Sequence, residues 1–269
     1  VHLPPSFQNP PAQGFPIVFM FHGGGGGGEN AFETTKWKEV GDANDFITVF
    51  PTAYETCIIK DSTPSTKRYW MTEGKLGSLC PGEAPHDDVA FVKQILIYLQ
   101  ANYSIDSRRI YASGFSNGMG FSLSKLLVEM PETFAAIAGV GSLLQNSLGA
   151  VTNPPPVFVL VGEDDDRFYP KAGLPSLPIT ESDFEASVFM KDMQNHLLDM
   201  LQLDSAYQIR QRPKYMLYRF NQSIGKGAPE LRFGVLKGIK HVYPQGRANK
   251  DNGIVIAEIF WDFFSQYTK

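Results

Sequence analysis

The sequence predicts an α/β architecture: a mostly parallel central sheet flanked by helices. Short runs of β-branched and aromatic residues alternate with stretches whose apolar residues recur every three or four positions. The runs are apolar throughout, as expected for strands covered on both faces, and Gly or Pro closes them. Composition agrees, because 269 residues that are 43% hydrophobic and 19% charged can bury the core of one domain over residues 1–269.

Ile17 to Phe21 reads as the first buried strand, ending in glycine. Ala31 to Val40 follows as a helix behind the cap Asn30, and Phe46 to Phe50 is a strand stopped by Pro51. Asp88 to Tyr103 gives the clearest helical signal: Val89, Val92, Leu96, Leu99 and Tyr103 share one face, and acidic residues sit at the positive end. Arg109 to Ser113 is a strand that enters a Gly-rich turn and a helix reaching to near Met130, where Pro131 ends it. Ala135 to Val140 and Val157 to Val161 are further buried strands. Tyr215 to Phe220 and Leu231 to Leu236 form either a pair or one strand beside a long loop, and Ile254 to Tyr267 closes the chain as an amphipathic helix. Residues 171–205 break the rhythm. The stiff stretch Lys171 to Thr180, with Pro175 and Pro178, leads into a helix over Ser182 to Leu203 with the capping box Ser182…Glu185. This reads as a helical lid-like insertion, in which Met190, Met193 and Met200 fit core packing better than substrate contact.

Lys and Arg total 24 against 28 Asp and Glu, a net charge of −4, so the surface has no general attraction for polyanions and nucleic acid is excluded as a partner. No apolar run reaches the ~18 residues of a membrane span. The chain opens on Val1 without a signal-peptide pattern, which reads as a matured or trimmed start. Cys57 and Cys80 lie in a loop-rich stretch, and their pairing as a disulfide would fit a secreted or extracytoplasmic protein. HExxH does not occur and the cysteines lack paired ligands at zinc spacing, so neither a metal nor a cofactor is expected. Asn102-Tyr103-Ser104 and Asn221-Gln222-Ser223 match a glycosylation pattern that arises too often by chance to carry weight.

The sharpest feature is Gly114-Phe115-Ser116-Asn117-Gly118. Gly-x-Ser-x-Gly sets a serine on a tight strand-to-helix turn, where strand and helix pass too close for side chains at the two glycines. The pattern alone is weak; a β-rich run just before it and a helical pattern just after it strengthen the reading. A serine nucleophile needs a base, and the base needs an orienting acid. Of the five histidines, only His196 and His241 follow Ser116. His196 falls inside the inserted helix, whereas His241 lies in a loop after an apolar strand and before the last helix, where such a base belongs. For the acid, the strand at Val157 runs into Glu163-Asp164-Asp165-Asp166, and spacing alone does not choose among the three aspartates.

Directly after the first strand, His22 precedes six glycines, Gly23 to Gly28. Glu29-Asn30 follow instead of the Lys and Ser/Thr of a phosphate loop. The remaining reading is an oxyanion hole made by the backbone amides of Gly24 and of Asn117, the residue after the nucleophile. His22, Gly25 and Phe115 are candidate substrate-facing neighbours.

With these parts in order, the chain resembles the α/β-hydrolase family of secreted esterases that includes polyhydroxybutyrate depolymerases and feruloyl esterases. The resemblance rests on the His-Gly-Gly loop at His22, Asp87-Asp88-Val89-Ala90-Phe91, Arg108-Arg109-Ile110-Tyr111 leading into the serine motif, Gly162-x-x-Asp165, and His241-x-Tyr243-Pro244. It implies the α/β-hydrolase fold, Ser116 as nucleophile, Asp165 as acid with Asp166 still open, and His241 as base. Trp70 loosely matches a tryptophan beside the acyl site. The expected activity is carboxylic ester hydrolysis through an acyl-enzyme, acting as a monomer on a small-molecule or polymeric ester: a polyester (hydroxyalkanoate or aromatic) or a feruloyl or acetyl ester of a polysaccharide. The alternatives are a serine peptidase or amidase on the same fold and a non-catalytic binding protein.

Overall fold

In β1 (Phe15–Phe21) every residue is buried, and its side chains divide between two cores: Phe15, Ile17, Phe19 and Phe21 join one, Val18 and Met20 the other. A strand's period of two therefore feeds both faces of the sheet with apolar residues. The computed structural model describes residues 1–221 and 229–269. After β1 come α1 (Gly28–Thr34), α2 (Trp37–Asn44), β2 (Ile47–Val49), the hairpin β3 (Glu55–Lys60) and β4 (Thr63–Arg68), α3 (Glu73–Leu76), α4 (Asp88–Asn102) and β5 (Ile105–Phe115). The chain continues through α5 (Asn117–Phe121), a π-helical turn (Ser122–Leu126), α6 (Leu127–Glu129), β6 (Ala136–Val140) and β7 (Val157–Gly162). It ends with α7 (Glu181–Ala186), α8 (Val188–Leu201), β8 (Gln208–Gln211), β9 (Tyr215–Phe220), β10 (Leu231–Leu236), α9 (Ala248–Asp251) and α10 (Ile256–Phe264).

The main sheet has the order β2-β1-β5-β6-β7-β10-β9-β8, parallel from β2 to β10 and antiparallel at β9 and β8. One core holds Val92, Leu96 and Leu99 of α4 and Met190, Met193 and Leu197 of α8; the other holds Trp37 of α2 and Phe260 and Phe263 of α10. The loops after β1, β5, β7 and β10 leave the same edge of the parallel region, where ligands of open α/β sheets collect.

Several local expectations are corrected. The helix over Ala31 to Val40 is two helices, because Lys36 takes φ +68° and breaks the run. Asn30 is not its cap: α1 starts after Gly27, and the Gly28 N–H donates to Thr52 Oγ1 at 2.9 Å. The inserted helix is likewise two, broken at Ser187, whose hydroxyl accepts from the Met190 N–H and caps α8. Its first cap is Thr180, which accepts from the Asp183 N–H, not Ser182. Residues 215–236 resolve as the antiparallel pair β9 and β10. The strands β8, β3 and β4 were missed, since each is too exposed to show an apolar run. Met190, Met193 and Met200 are buried in the core. The pattern beginning at Asn221 extends outside the described residues.

Cys57 of β3 is disulfide-bonded to Cys80, closing a loop across a separation of 23 residues. Loop-closure entropy gives such a bridge about 3 kcal/mol. Cys57→Ser combined with Cys80→Ser is expected to lower unfolding free energy by about 2–3 kcal/mol, measured as a shift of the urea midpoint.

Candidate active site

β5 ends at Phe115, and α5 begins at Asn117, so a single residue turns the chain. That residue, Ser116, has φ +51° and ψ −117°, a conformation that costs a non-glycine residue about 1–3 kcal/mol and persists only where the surroundings impose it. They do so through close backbone approach. A Cβ at Gly114 would lie 2.6 Å from the Met119 nitrogen, and one at Gly118 would lie 2.2 Å from the Phe21 carbonyl oxygen. The Ser116 N–H donates to the Val140 carbonyl at 2.9 Å, tying the turn to β6.

Three side chains from three loops then meet. Ser116 Oγ lies 2.9 Å from His241 Nε2, and His241 Nδ1 lies 2.7 Å from Asp165 Oδ2. Asp165 is buried with its carboxylate facing His241 Nδ1, so the tautomer that satisfies this contact is the one with the proton on Nδ1. Nε2 is then left unprotonated to accept from the serine hydroxyl. The second carboxylate oxygen accepts from the Arg167 N–H at 3.1 Å. Among the three aspartates it is Asp165 that meets His241; Asp166 is exposed.

The glycine loop is fixed from beneath by His22. Its Nε2 accepts from the Ala53 N–H at 3.0 Å, which places the proton on Nδ1, donating to the Gly23 carbonyl at 2.8 Å. Trp70 Nε1 donates to the His22 carbonyl at 3.0 Å. Asn117 clamps the chain at Trp70 from both sides, its Oδ1 accepting from the Trp70 N–H and its Nδ2 donating to the Trp70 carbonyl. Asp88 Oδ2 accepts from the Met71 N–H, and burial raises the Asp88 pKa. Gly24 is exposed, and a Cβ on it would sit 3.7 Å from the Asn117 Cβ and 2.6 Å from Tyr69 Cε1. Among the described residues no group accepts from the Gly24 or Asn117 N–H.

The candidate substrate-facing residues divide. Gly25 is exposed beside Lys67, and its N–H donates to the Arg68 carbonyl. The Phe115 ring lies 5.1 Å from the His241 ring, tilted by 33°. Trp70 and His22 are corrected to a buttressing position, because Trp70 has no exposed surface, His22 is 4% exposed, and the polar atoms of both are engaged within the protein. His196 is packed against the Leu144 carbonyl, away from the serine. Arg167 was missed: its Nη1 donates to Ser116 Oγ at 3.3 Å. Its only sequence signal is proximity to the acid. Tyr69 likewise lacks a pattern that would announce it, and for Asn117 the sequence marks the backbone amide but not the side-chain clamp on Trp70.

With the geometry in place, comparison with known proteins is informative. The likeness extends over 98% of this chain and 92% of the solved acetyl xylan esterase from Aspergillus awamori, with a TM-score of 0.59 at 14% identity. The fold is that of the α/β-hydrolases. No family model matches the sequence. The chain is 25% identical over 257 residues to a bifunctional acetylxylan esterase/xylanase of Neocallimastix patriciarum, covering 94% of this chain and 31% of that protein. It is 28% identical over 121 residues to feruloyl esterase B of Thermothelomyces thermophilus, covering 45% of this chain and 37% of that one. The chain therefore spans about a third of the length of these curated relatives.

Two expectations follow. Gly118→Ala forces a methyl onto the Phe21 backbone and is expected to lower stability by about 2–3 kcal/mol, read from urea unfolding. Burial holds the His22 pKa below its ordinary 6.5, helped by the charge of Arg68 and opposed by the bond to Gly23. The unfolded chain thus takes up the proton first, so this contribution to stability is complete above pH 6.5 and is lost as pH falls toward the lower folded value. His22→Gln is expected to flatten the decline of melting temperature between about pH 7 and pH 5.

Proposed function

We propose that this chain hydrolyses carboxylic esters through an acyl-enzyme, with Ser116 as nucleophile, His241 as base and Asp165 as its orienting acid. One observation carries the reading: the continuous hydrogen-bonded line from Asp165 Oδ2 through both His241 nitrogens to Ser116 Oγ, at 2.7 and 2.9 Å. Ser116 Oγ attacks the ester carbonyl while Nε2 takes the hydroxyl proton, and Asp165 stabilises the imidazolium. The amides of Gly24 and Asn117, which have no acceptor among the described residues, receive the developing oxyanion, each worth on the order of 3 kcal/mol. His241 then returns the proton to the leaving alcohol. Water adds to the acyl-enzyme by the same route and releases the acid.

The named relatives support an acetyl ester of xylan or a feruloyl ester over a polyester, since those are the esters their names state. The Cys57–Cys80 bridge supports an oxidising, extracytoplasmic setting. Among the described residues no helix is long and apolar enough to cross a membrane.

Ser116→Ala is expected to lower kcat/KM on a short-chain nitrophenyl ester by about a thousandfold or more, and Asp165→Asn by a comparable factor through the wrong imidazole tautomer. Both are read from product release, with acetylated xylan and methyl ferulate run alongside. Wild-type protein inert on every ester would overturn the reading.

A further inference from the structure

Arg167 stands apart from the hydrogen-bonded line that the hydrolysis needs. Its guanidinium reaches the nucleophile, with Nη1 3.3 Å from Ser116 Oγ, yet the side chain is exposed. Among the described residues no carboxylate lies within 4.0 Å of it, although Asp164 and Asp166 are its neighbours in sequence. An arginine that braces a fold is ordinarily paired, because a bidentate carboxylate is its best partner. This one is held over the reacting atom with its strongest bonding capacity unused.

The surroundings reinforce the charge. The Lys75 ammonium sits 4.1 Å from the Tyr69 ring, and that ring packs over Gly24 of the glycine loop. Lys75 also lacks a carboxylate within 4.0 Å among the described residues. Its pKa is held below the ordinary 10.5 by burial and by the positive charges of Lys60 and Arg167. Lys67 lies against Gly25 on the other side of the loop. A chain with net charge −4 thus gathers, at the mouth of this site, cations that have no carboxylate within 4.0 Å among the described residues.

We infer that Arg167 is a specificity-determining residue that binds a carboxylate carried by the ester substrate, about three or four bonds from the scissile carbonyl. The spacing follows from geometry. The carbonyl carbon must approach Ser116 Oγ, and a carboxylate oxygen must come within about 2.9 Å of the guanidinium. With Nη1 and Oγ only 3.3 Å apart, the two groups cannot be distant in the substrate. Two substrate types share this chemistry. In one the carboxylate is on the acyl side, as in a hemiester of a short dicarboxylic acid. In the other it is on the alcohol side, as in an acetylated hydroxy acid or uronate. On binding, the carboxylate draws the Arg167 donor off Oγ, while the hydroxyl keeps its own donation to His241 Nε2. The inference rests on the esterase reading.

The test uses isosteric pairs that differ only in charge: monoethyl succinate against ethyl succinamate for the acyl side, and 3-acetoxybutanoate against its primary amide for the alcohol side. Wild-type protein is expected to favour the charged member of at least one pair, and which pair it is distinguishes the two substrate types. In Arg167→Ala the charged-to-neutral ratio of kcat/KM is expected to fall by about ten- to a hundredfold. Succinate and 3-hydroxybutanoate are expected to inhibit wild-type protein competitively where their amides do not, a readout that needs no variant. Equal rates on charged and neutral members, or a ratio unchanged in Arg167→Ala, would overturn the inference while leaving the esterase reading intact. An equal loss on both members would give Arg167 a general electrostatic role and also overturn it. Failure to cleave any of the four esters would instead count against the esterase reading itself.

Discussion

The site depends on one close contact: the first turn of α5 pressed against the end of β1, with Gly118 against the Phe21 carbonyl. Only a residue without Cβ lets the helix start so near the sheet. That start obliges Ser116 to turn the chain alone, at φ +51°. The strain is local, and the buried β1, β5 and β6 on either side hold it in place. The turn lifts the hydroxyl above the sheet edge, where loops after β7 and β10 can deliver Asp165 and His241. Relaxing the turn would move the hydroxyl away from His241 Nε2, the atom that links it to Asp165.

The opposite wall is organised by a different principle. A run of six glycines has little conformational preference of its own, so order must come from its neighbours. His22 supplies it below, donating to Gly23 and accepting from Ala53, while Trp70 bonds the His22 carbonyl. Asn117 joins the two walls, because its backbone begins α5 and its side chain holds the main chain at Trp70. Asn117 thereby ties the wall that carries its own amide to the chain segment at Trp70 that braces the glycine loop. Buried His22 and Trp70 matter to the site through position, and their lack of exposed surface is a consequence of that role.

How much of this was legible in the sequence depends on range. The strands β1, β6, β7 and β10 are apolar at nearly every position, a signal that burial on two faces writes into the chain directly. Ser116 and His241 were legible because a short motif and chain order constrain them. Asp165 was not separable from Asp164 and Asp166 by spacing, since the choice is made by which carboxylate the turn after β7 buries against the imidazole. The break between α7 and α8 escaped because Phe184 and Met190 sustain an apolar pattern across Ser187, while the hydroxyl that ends one helix and caps the next shows no period. Arg167 was invisible for the same reason: an exposed residue on a turn reveals its task only when the fold brings Ser116 beside it, across 51 residues of sequence.

The two charges nearest the serine are treated in opposite ways, and the contrast bears on what the site distinguishes. Asp165 is sealed from water, with one oxygen on His241 and the other on the Arg167 N–H, so its field is spent on a fixed proton. Two residues later, the Arg167 side chain remains in solvent with no carboxylate partner among the described residues. Burying an unpaired guanidinium would cost several kcal/mol, whereas keeping it wet costs little and leaves it ready to exchange water for an anion. In the proposed hydrolysis a buried acid serves the reaction whatever ester is bound. An exposed cation beside Ser116 meets a charge only when a ligand brings one, so on the reading proposed above the same short turn holds one residue suited to chemistry and one suited to choice.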